Sequence, residues 1–313
     1  MSVLSRTPFP AAKQRLRTPN DSPLKLFCLL PAAFWYGVFF LLPLIFLLWI
    51  GFWRVENYVN VPDFTALNYI EIGENLFARA RYGLALLQSL YVALTNMVFA
   101  VGFAYLIALA LVYAVPERWQ RLALLLTIAP FWSSYVLRLY AWQTILSKSG
   151  LLNATLGYLG MDALKVDIIY TQIATRIGLI HFLAPILVVI MYVTVRNIDR
   201  TLIEAARELG ASRWQVFRKV ILPLSSFGLA LSGSFAVIIA LGDTLSPSLL
   251  GGGAGSSWLG NIPVFSGMLI ADYASSTNLP RTSALATILV LVMVGMLLLG
   301  YRLAERARRN ISE

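Results

Sequence analysis

The chain has 313 residues, a formal net charge of +10, 58% hydrophobic residues and only 13% charged residues. Soluble domains carry about 25% charge and about 45–50% apolar residues. This composition, with a mean hydropathy of +0.73, therefore excludes an ordinary soluble fold, disorder along the whole chain and a collagen-like repeat. With one cysteine, Cys28, and one histidine, His181, the sequence offers no internal disulfide framework and no Cys- or His-based metal, haem or thiol-relay centre.

Taken in chain order, residues 1–24 are polar, Pro-rich and basic (Arg6, Lys13, Arg15, Arg17) and read as disordered, part of a tail spanning 1–25. Leu26 to Trp53 is almost entirely apolar, and longer than the core of a signal peptide, so it reads as a retained membrane helix. Further apolar blocks run at 84–115, 122–146, 168–195, 225–243 and 283–301. A helix rising 1.5 Å per residue crosses a bilayer in about 20 residues. The expectation is thus an all-α, polytopic membrane protein with six transmembrane helices over 26–303 and a second basic tail at 304–313. The 84–115 block is long enough to tilt or to project from the bilayer.

Six spans put both termini on one side. If the termini and the segments 116–121 and 196–224 share that side, it holds 17 of the 25 Lys and Arg residues but only 7 of the 15 acids. The other face then nets to zero. The positive-inside rule makes the basic face cytoplasmic, and the charge needs no nucleic-acid partner to explain it. Three outer segments remain, at 54–83, 147–167 and 244–282. The last contains the run Gly251-Gly252-Gly253-Ala254-Gly255-Ser256-Ser257, which lacks the lysine of a phosphate-binding loop and reads as a flexible outer loop.

The most informative inner segment is Thr201–Pro223. Thr201 with Glu204 has the spacing of a capping box, and so does Ser212 with Gln215. Between them, Gly210 suits the left-handed end of a first helix over Leu202–Leu209. The second helix carries Trp214, Phe217 and Ile221 on one stripe, with Arg213, Arg218 and Lys219 off it. Pro223 ends it. The product is a compact basic hairpin. A solvated connecting loop is the bland alternative. A DNA-reading helix-turn-helix is disfavoured because a few residues on each side tether the hairpin to the bilayer.

Glu204-Ala205-Ala206, then Gly210, then Ile221-Leu222-Pro223, resembles the EAA loop of bacterial ABC importer permeases, the binding-protein-dependent type. Ala129-Pro130-Phe131-Trp132 through Arg138-Leu139-Tyr140-Ala141-Trp142, with Gly150-Leu151-Leu152-Asn153, resembles the third span of the spermidine/putrescine-type subfamily and the turn after it. Phe64-Thr65 with Asn68-Tyr69, and Gly242-Asp243 with Pro247-Ser248-Leu249-Leu250-Gly251-Gly252, extend that likeness, in particular to its first permease subunit. The N-terminal tail and the glycine run depart from the pattern.

The resemblance implies a type I importer permease of the inner (plasma) membrane that hydrolyses nothing itself. Glu204, Ala205, Ala206, Gly210, Arg213 and Trp214 would dock a cytoplasmic ABC ATPase dimer, which would bind ATP and Mg; no cofactor is expected in this chain. Its other partners would be a second permease subunit in a heterodimer, a periplasmic solute-binding protein and membrane lipid. The solute would be a polyamine or another small compound such as an opine, an amino-acid derivative or a phosphonate.

Ionisable groups in spans usually face a cavity. Asp243 at the outer end of the fifth block either attracts a cationic solute or pairs with Arg138 or Arg176. Trp132, Tyr135, Tyr140 and Trp142 surround Arg138. They suit either cation–π contacts or an interfacial aromatic belt. The substrate path is therefore assigned to Asp243, Trp132, Tyr135 and Arg138. Gln88, Asn96, Ser133 and Ser134 either line a polar path or bond between helices. His181 reads as a packed structural residue. No catalytic or metal-ligating set is present. An ion-driven secondary transporter is the remote alternative; it would need acidic or histidine relays deep in several spans.

Overall fold

The computed structural model describes residues 22–77, 81–252, 266–275 and 278–312. Residues 1–21 of the expected tail and residues 253–257 of the glycine run lie outside them. The chain forms two compact units, Met1–Phe46 and Leu47–Glu313.

The first helix, α1 (Ser22–Tyr36), leads through a π-helical turn at Gly37–Leu41 into α2 (Leu42–Ile50). The stretch Leu29–Ile50 is long and apolar enough to cross a membrane. Its π turn has a local cause. Pro43 would collide with the carbonyl four residues before it, and the wider turn, in which the Leu42 N–H bonds to the Gly37 carbonyl, turns that carbonyl aside.

After α2 comes a short antiparallel hairpin, β1 (Arg54–Glu56) and β2 (Val59–Val61). It turns on Asn57 (φ 47°) and Tyr58 (φ 63°). In α3 (Leu67–Phe77), Asn68 donates to the carbonyls of Gly51 (3.0 Å) and Trp53 (2.7 Å). This residue of the expected outer motif thus satisfies the backbone just past α2.

Further helices follow. They are α4 (Arg81–Tyr113), α5 (Glu117–Ile128) with a 3-10 turn at Ala129–Trp132, α6 (Tyr135–Leu146), α7 (Leu151–Tyr158) and α8 (Gln172–Arg196). The inner hairpin comprises α9 (Arg200–Glu208), α10 (Arg213–Val216), a second π turn at Phe217–Ile221 and α11 (Leu222–Leu224). Then come α12 (Ser226–Gly242), α13 (Leu245–Leu249), α14 (Ser266–Ser275) and α15 (Leu279–Ser312).

Among the described residues, four helical stretches of spanning length, Leu29–Ile50, Tyr82–Tyr113, Gln172–Arg196 and Leu279–Arg306, are unbroken. Two expected spans are not straight rods. The block read as one helix over 122–146 breaks at Ser133–Ser134, where its halves bend by 89°. Pro130 tightens the turn, and Ser133 returns both its N–H (3.2 Å) and its hydroxyl (2.6 Å) to the Pro130 carbonyl. The fifth block is continuous with the hairpin and bends by 63° at Ser225. The outer segment after Asp243 carries two short helices, α13 and α14, in place of plain loop. The basic residues after 303 simply continue α15 as helix to Ser312.

The core lies among α4, α8, α12 and α15. Ala93, Ala100, Ala104 and Ala108 of α4 meet Leu179, Leu183, Leu187 and Met191 of α8 and Ala236, Ala240 and Leu241 of α12. Small residues let helices approach closely where lipid supplies no hydrophobic drive. Gly228 on α12 is the tightest such point between α8 and α12, because an added Cβ would sit 2.2 Å from the Thr194 hydroxyl oxygen and 2.7 Å from its Cβ.

Helix direction collects the charge. Tyr105 donates to Ser225 (3.2 Å), which places the C-terminal part of α4 beside the start of α12. Gly300 faces Ser234, and Met293 faces Gly242, so α15 runs antiparallel to α12. The basic residues of 117–121, 196–219 and 302–309 therefore gather at the hairpin end. Asp243 lies at the opposite end of α12, about 25 Å away along its 17 residues.

Gly228→Val should destabilise the detergent-solubilised protein by about 1–3 kcal/mol through overpacking. A paired Thr194→Gly should recover part of the loss. Thermal unfolding of the two variants checks both expectations.

Candidate functional site

The hairpin is built from its caps. Helix α9 starts two residues earlier than the Thr201 spacing predicts. Asp199 is its N-cap and accepts the Thr201 N–H at 2.9 Å, so the expected Thr201–Glu204 box does not form. A carboxylate satisfies the free N–H groups and also favours the positive end of the helix dipole. The backbone and side-chain bonds from Thr201 hold the Asp199 carboxyl below its ordinary range. Glu204 is left exposed and lines a cleft. The second capping box forms as expected, with Ser212 N–H to Gln215 Oε1 at 2.8 Å and Gln215 N–H to Ser212 Oγ at 3.3 Å. Gly210 takes φ +82°. The Ala211 N–H reaches back to the Ala206 carbonyl at 3.0 Å, which closes the end of α9.

One face of the hairpin is welded to the bundle. Ile198, Ile203, Val216 and Ile221 form a buried cluster, and Ala206, Phe217 and Leu109 of α4 pack against it. The other face is open. Ala205, Gly210 and Arg213 are exposed. Trp214, expected on the apolar stripe with Phe217 and Ile221, is 65% exposed and stacks outward on Phe217 at 5.4 Å. Leu202 and Leu209 are exposed as well. The π turn brings Val216 and Ile221, five residues apart, onto the buried stripe, which leaves Trp214 on the outer side. A cleft of about 620 Å³ separates the hairpin from the end of α4, with Tyr113, Arg200, Glu204, Arg207 and Arg213 among its walls.

A second cluster sits at the far end. Asp243 ends α12 and caps α13. Its Oδ1 accepts the N–H groups of Leu245 (3.1 Å) and Ser246 (3.4 Å), and its Oδ2 accepts the Tyr135 hydroxyl (3.1 Å). Tyr135 also bonds Ser246 Oγ and stacks on Phe182 at 4.2 Å. The Arg138 guanidinium lies over both rings, at 5.9 and 5.7 Å. Among the described residues Asp243 forms no ion pair with Arg138 or Arg176. Arg176 instead covers the Tyr91 ring at 5.5 Å. Arg138 is buried, and its Nε and Nη1 have no hydrogen-bond partner.

The structure thus brings Tyr135, Arg138 and Asp243 together and leaves Trp132 outside, 75% exposed on the other side of the Ser133–Ser134 break. Tyr140 is exposed on α6. Trp142 donates to His181 Nδ1 at 2.9 Å; indole can only donate, so this imidazole nitrogen accepts. Gln88 and Asn96 are buried within α4, whereas Ser133 and Ser134 are exposed at the break.

Sequence reasoning missed Phe182 and Ser246, which reach Tyr135 only through the fold. It also missed the work of Asn153, whose side chain donates to the carbonyls of Lys148 (3.1 Å) and Val166 (2.7 Å) and accepts the Val166 N–H (2.9 Å), pinning the 147–166 segment. A local signal did exist for Ser246. An Asp three residues before a Ser-Pro pair is a helix-start pattern.

Gly210→Val should loosen the hairpin, since a β-branched residue at this φ costs about 1–2 kcal/mol, whereas Gly210→Asn should be tolerated. Limited proteolysis around residue 210 in membranes should speed up in the first variant and stay unchanged in the second.

Comparison with known proteins adds the following. A family model described as binding-protein-dependent transport system inner membrane component matches residues 26–312. The chain is 30% identical over 295 residues to the spermidine/putrescine transport system permease protein PotB of Salmonella typhimurium strain LT2, covering 94% of this chain and 98% of the relative. It is 31% identical to PotB of Escherichia coli K12, covering 87% and 94%. Among solved structures, a chain of the bacterial alginate ABC transporter in complex with an alginate pentasaccharide-bound periplasmic protein superposes with a TM-score of 0.71 at 18% identity, covering 91% of this chain and 95% of that one.

Proposed function

The chain belongs to the family of binding-protein-dependent transport system inner membrane components, and from that premise we propose its solute, its docking face and the link between them. It is an ABC importer permease with the type I fold, a multi-pass transport subunit of the inner membrane. The solute is a polyamine of the spermidine/putrescine class. The PotB relatives named above support this, since they align over nearly the whole chain.

The hairpin is the docking element for a cytoplasmic ABC ATPase dimer, and ATP and Mg belong to that partner. The observation that carries this reading is the two-sidedness of the hairpin. Its inner face is buried through Ile203, Val216 and Ile221, while Leu209, Trp214, Glu204 and Ala205 stand exposed. An element that must transmit force needs a rigid root and a free contact face. Glu204, Ala205, Gly210, Arg213 and Trp214 form that contact, and Ala206 beneath them seats it on the aliphatic cluster. Motion then passes through the aliphatic cluster to α8 and through the Tyr105–Ser225 bond to α4 and α12. The basic hairpin end, and with it both termini, is cytoplasmic.

A solute-binding protein delivers solute at the opposite, periplasmic end. There Asp243 and Tyr135 meet the ammonium groups of the solute, and Arg138 and Trp132 border the path. A second, different permease completes the channel. PotC of Escherichia coli, 28% identical over 40% of this chain, is a relative of the kind such a partner would be.

Glu204→Lys and Gly210→Pro should each lower solute uptake at least tenfold and lose the co-purifying ATPase, with membrane insertion unchanged. Normal uptake in both variants refutes the docking role. Asp243→Asn should weaken uptake of a cationic solute and spare a neutral one. Unchanged uptake of spermidine and putrescine would remove Asp243 from the path.

A further inference from the structure

A polar knot at the hairpin end of the bundle takes no part in the reading above. Gln120, buried in the first half of α5, donates to the carbonyls of Val112 and Val115, both at 3.1 Å, and so satisfies the C-terminal end of α4. Its Oε1 accepts from Arg196 Nη1 (3.1 Å) and from the Tyr192 hydroxyl (3.3 Å). Arg196 also lies over the Tyr192 ring at 5.7 Å and reaches Glu117 at 3.4 Å. The knot fixes the Arg196 guanidinium at the mouth of a pocket of about 350 Å³.

That pocket is lined by Glu117, Arg118, Arg121 and Arg196. Three guanidinium groups thus face one carboxylate, and that carboxylate is already engaged by Arg196. Arg118 and Arg121 make no hydrogen bond or ion pair among the described residues. The chain below them is apolar and exposed. On the helical repeat Leu122 and Leu125 continue the face of Arg118 and Arg121, and Trp119, Leu122, Leu125 and Leu126 are all exposed. A basic pocket sits directly above an apolar strip, with a tryptophan at the boundary.

We propose that this pocket binds the phosphate of an anionic phospholipid, such as phosphatidylglycerol, whose acyl chains lie along Leu122, Leu125 and Leu126 of α5. The arginines supply charge and planar donor pairs matched to a phosphodiester. The apolar strip supplies what a free phosphate has no use for. Arg196 is the fixed member, and Arg118 and Arg121 close on the headgroup. Because Gln120 and Arg196 join the ends of α4 and α8 close to the root of the hairpin, a bound headgroup braces the frame that the hairpin moves against.

The full-length chain, reconstituted in nanodiscs containing equal phosphatidylglycerol and phosphatidylcholine, is extracted in mild detergent, and its retained lipids are counted by mass spectrometry. Phosphatidylglycerol should be retained at least tenfold over phosphatidylcholine. Each arginine near an anionic headgroup is worth about fivefold in affinity, so Arg118→Gln/Arg121→Gln should cut that retention by roughly 25-fold. Arg118→Lys/Arg121→Lys should keep most of it. Should the double Gln variant fail to fold, Arg121→Gln alone should lose about fivefold. Equal retention of the two lipids, or full retention in the Gln variants, overturns the proposal. Equal retention of the two lipids together with binding of millimolar inorganic phosphate that the Gln variants lose overturns it in favour of a free-phosphate site.

Discussion

Burial of Ile198, Ile203, Val216 and Ile221 against the ends of the membrane helices is the interaction on which the molecule depends. A loop of some 25 residues outside a bilayer has every entropic reason to be loose. Here two capped helices, a left-handed glycine and four aliphatic side chains make it a solid extension of α8 and α12. Without that weld, contact at the hairpin surface would be absorbed as loop motion before it reached a span. With it, the exposed surface of Trp214 and Leu209 is mechanically continuous with helices that extend to Asp243.

The opposite end follows a related logic. Irregular backbone is tolerated at membrane depth only where its polar groups find partners inside the protein. The break after α12 meets this condition with one carboxylate, since Asp243 takes the first N–H groups of α13 and the Tyr135 hydroxyl together. The break before α6 meets it with Ser133. Both interruptions meet at Tyr135. Tyr135 and Asp243, proposed for the solute path, therefore also hold these two interruptions in register, and any solute contact there is made by groups with a structural duty.

Much of the fold was legible in the sequence. The six apolar blocks, the basic end and the hairpin with its Ser212–Gln215 box and Gly210 were all visible, because bilayer thickness, charge placement and helix capping are local rules. What was not legible depended on competition or on distance. Asp199 displaced Thr201 as the cap because both residues have suitable side chains and only the stronger was used. The 122–146 block read as one rod because hydropathy does not register an extended pair of serines. Trp214 was placed on the buried stripe by spacing alone, yet Val216 and Ile221 carry that stripe. Phe182 and Ser246 joined the Tyr135 cluster from other elements, and a linear pattern has no way to express this.

The two π-helical turns share an arrangement, each ending two residues before a proline within a Leu-Pro-Leu triplet, Leu42-Pro43-Leu44 and Leu222-Pro223-Leu224. A π turn is an α-helix holding one residue more than its pitch requires. Removing a single residue from Phe217–Ile221 would therefore restore ordinary pitch and leave the residues on either side almost in phase, whereas removing one from a regular turn would swing everything ahead of it by about 100°. Trp214 and Arg213 would keep their aim in the first case and lose it in the second. The π turn thus holds one spare residue of chain length, and a descendant protein could shed it without re-aiming that surface.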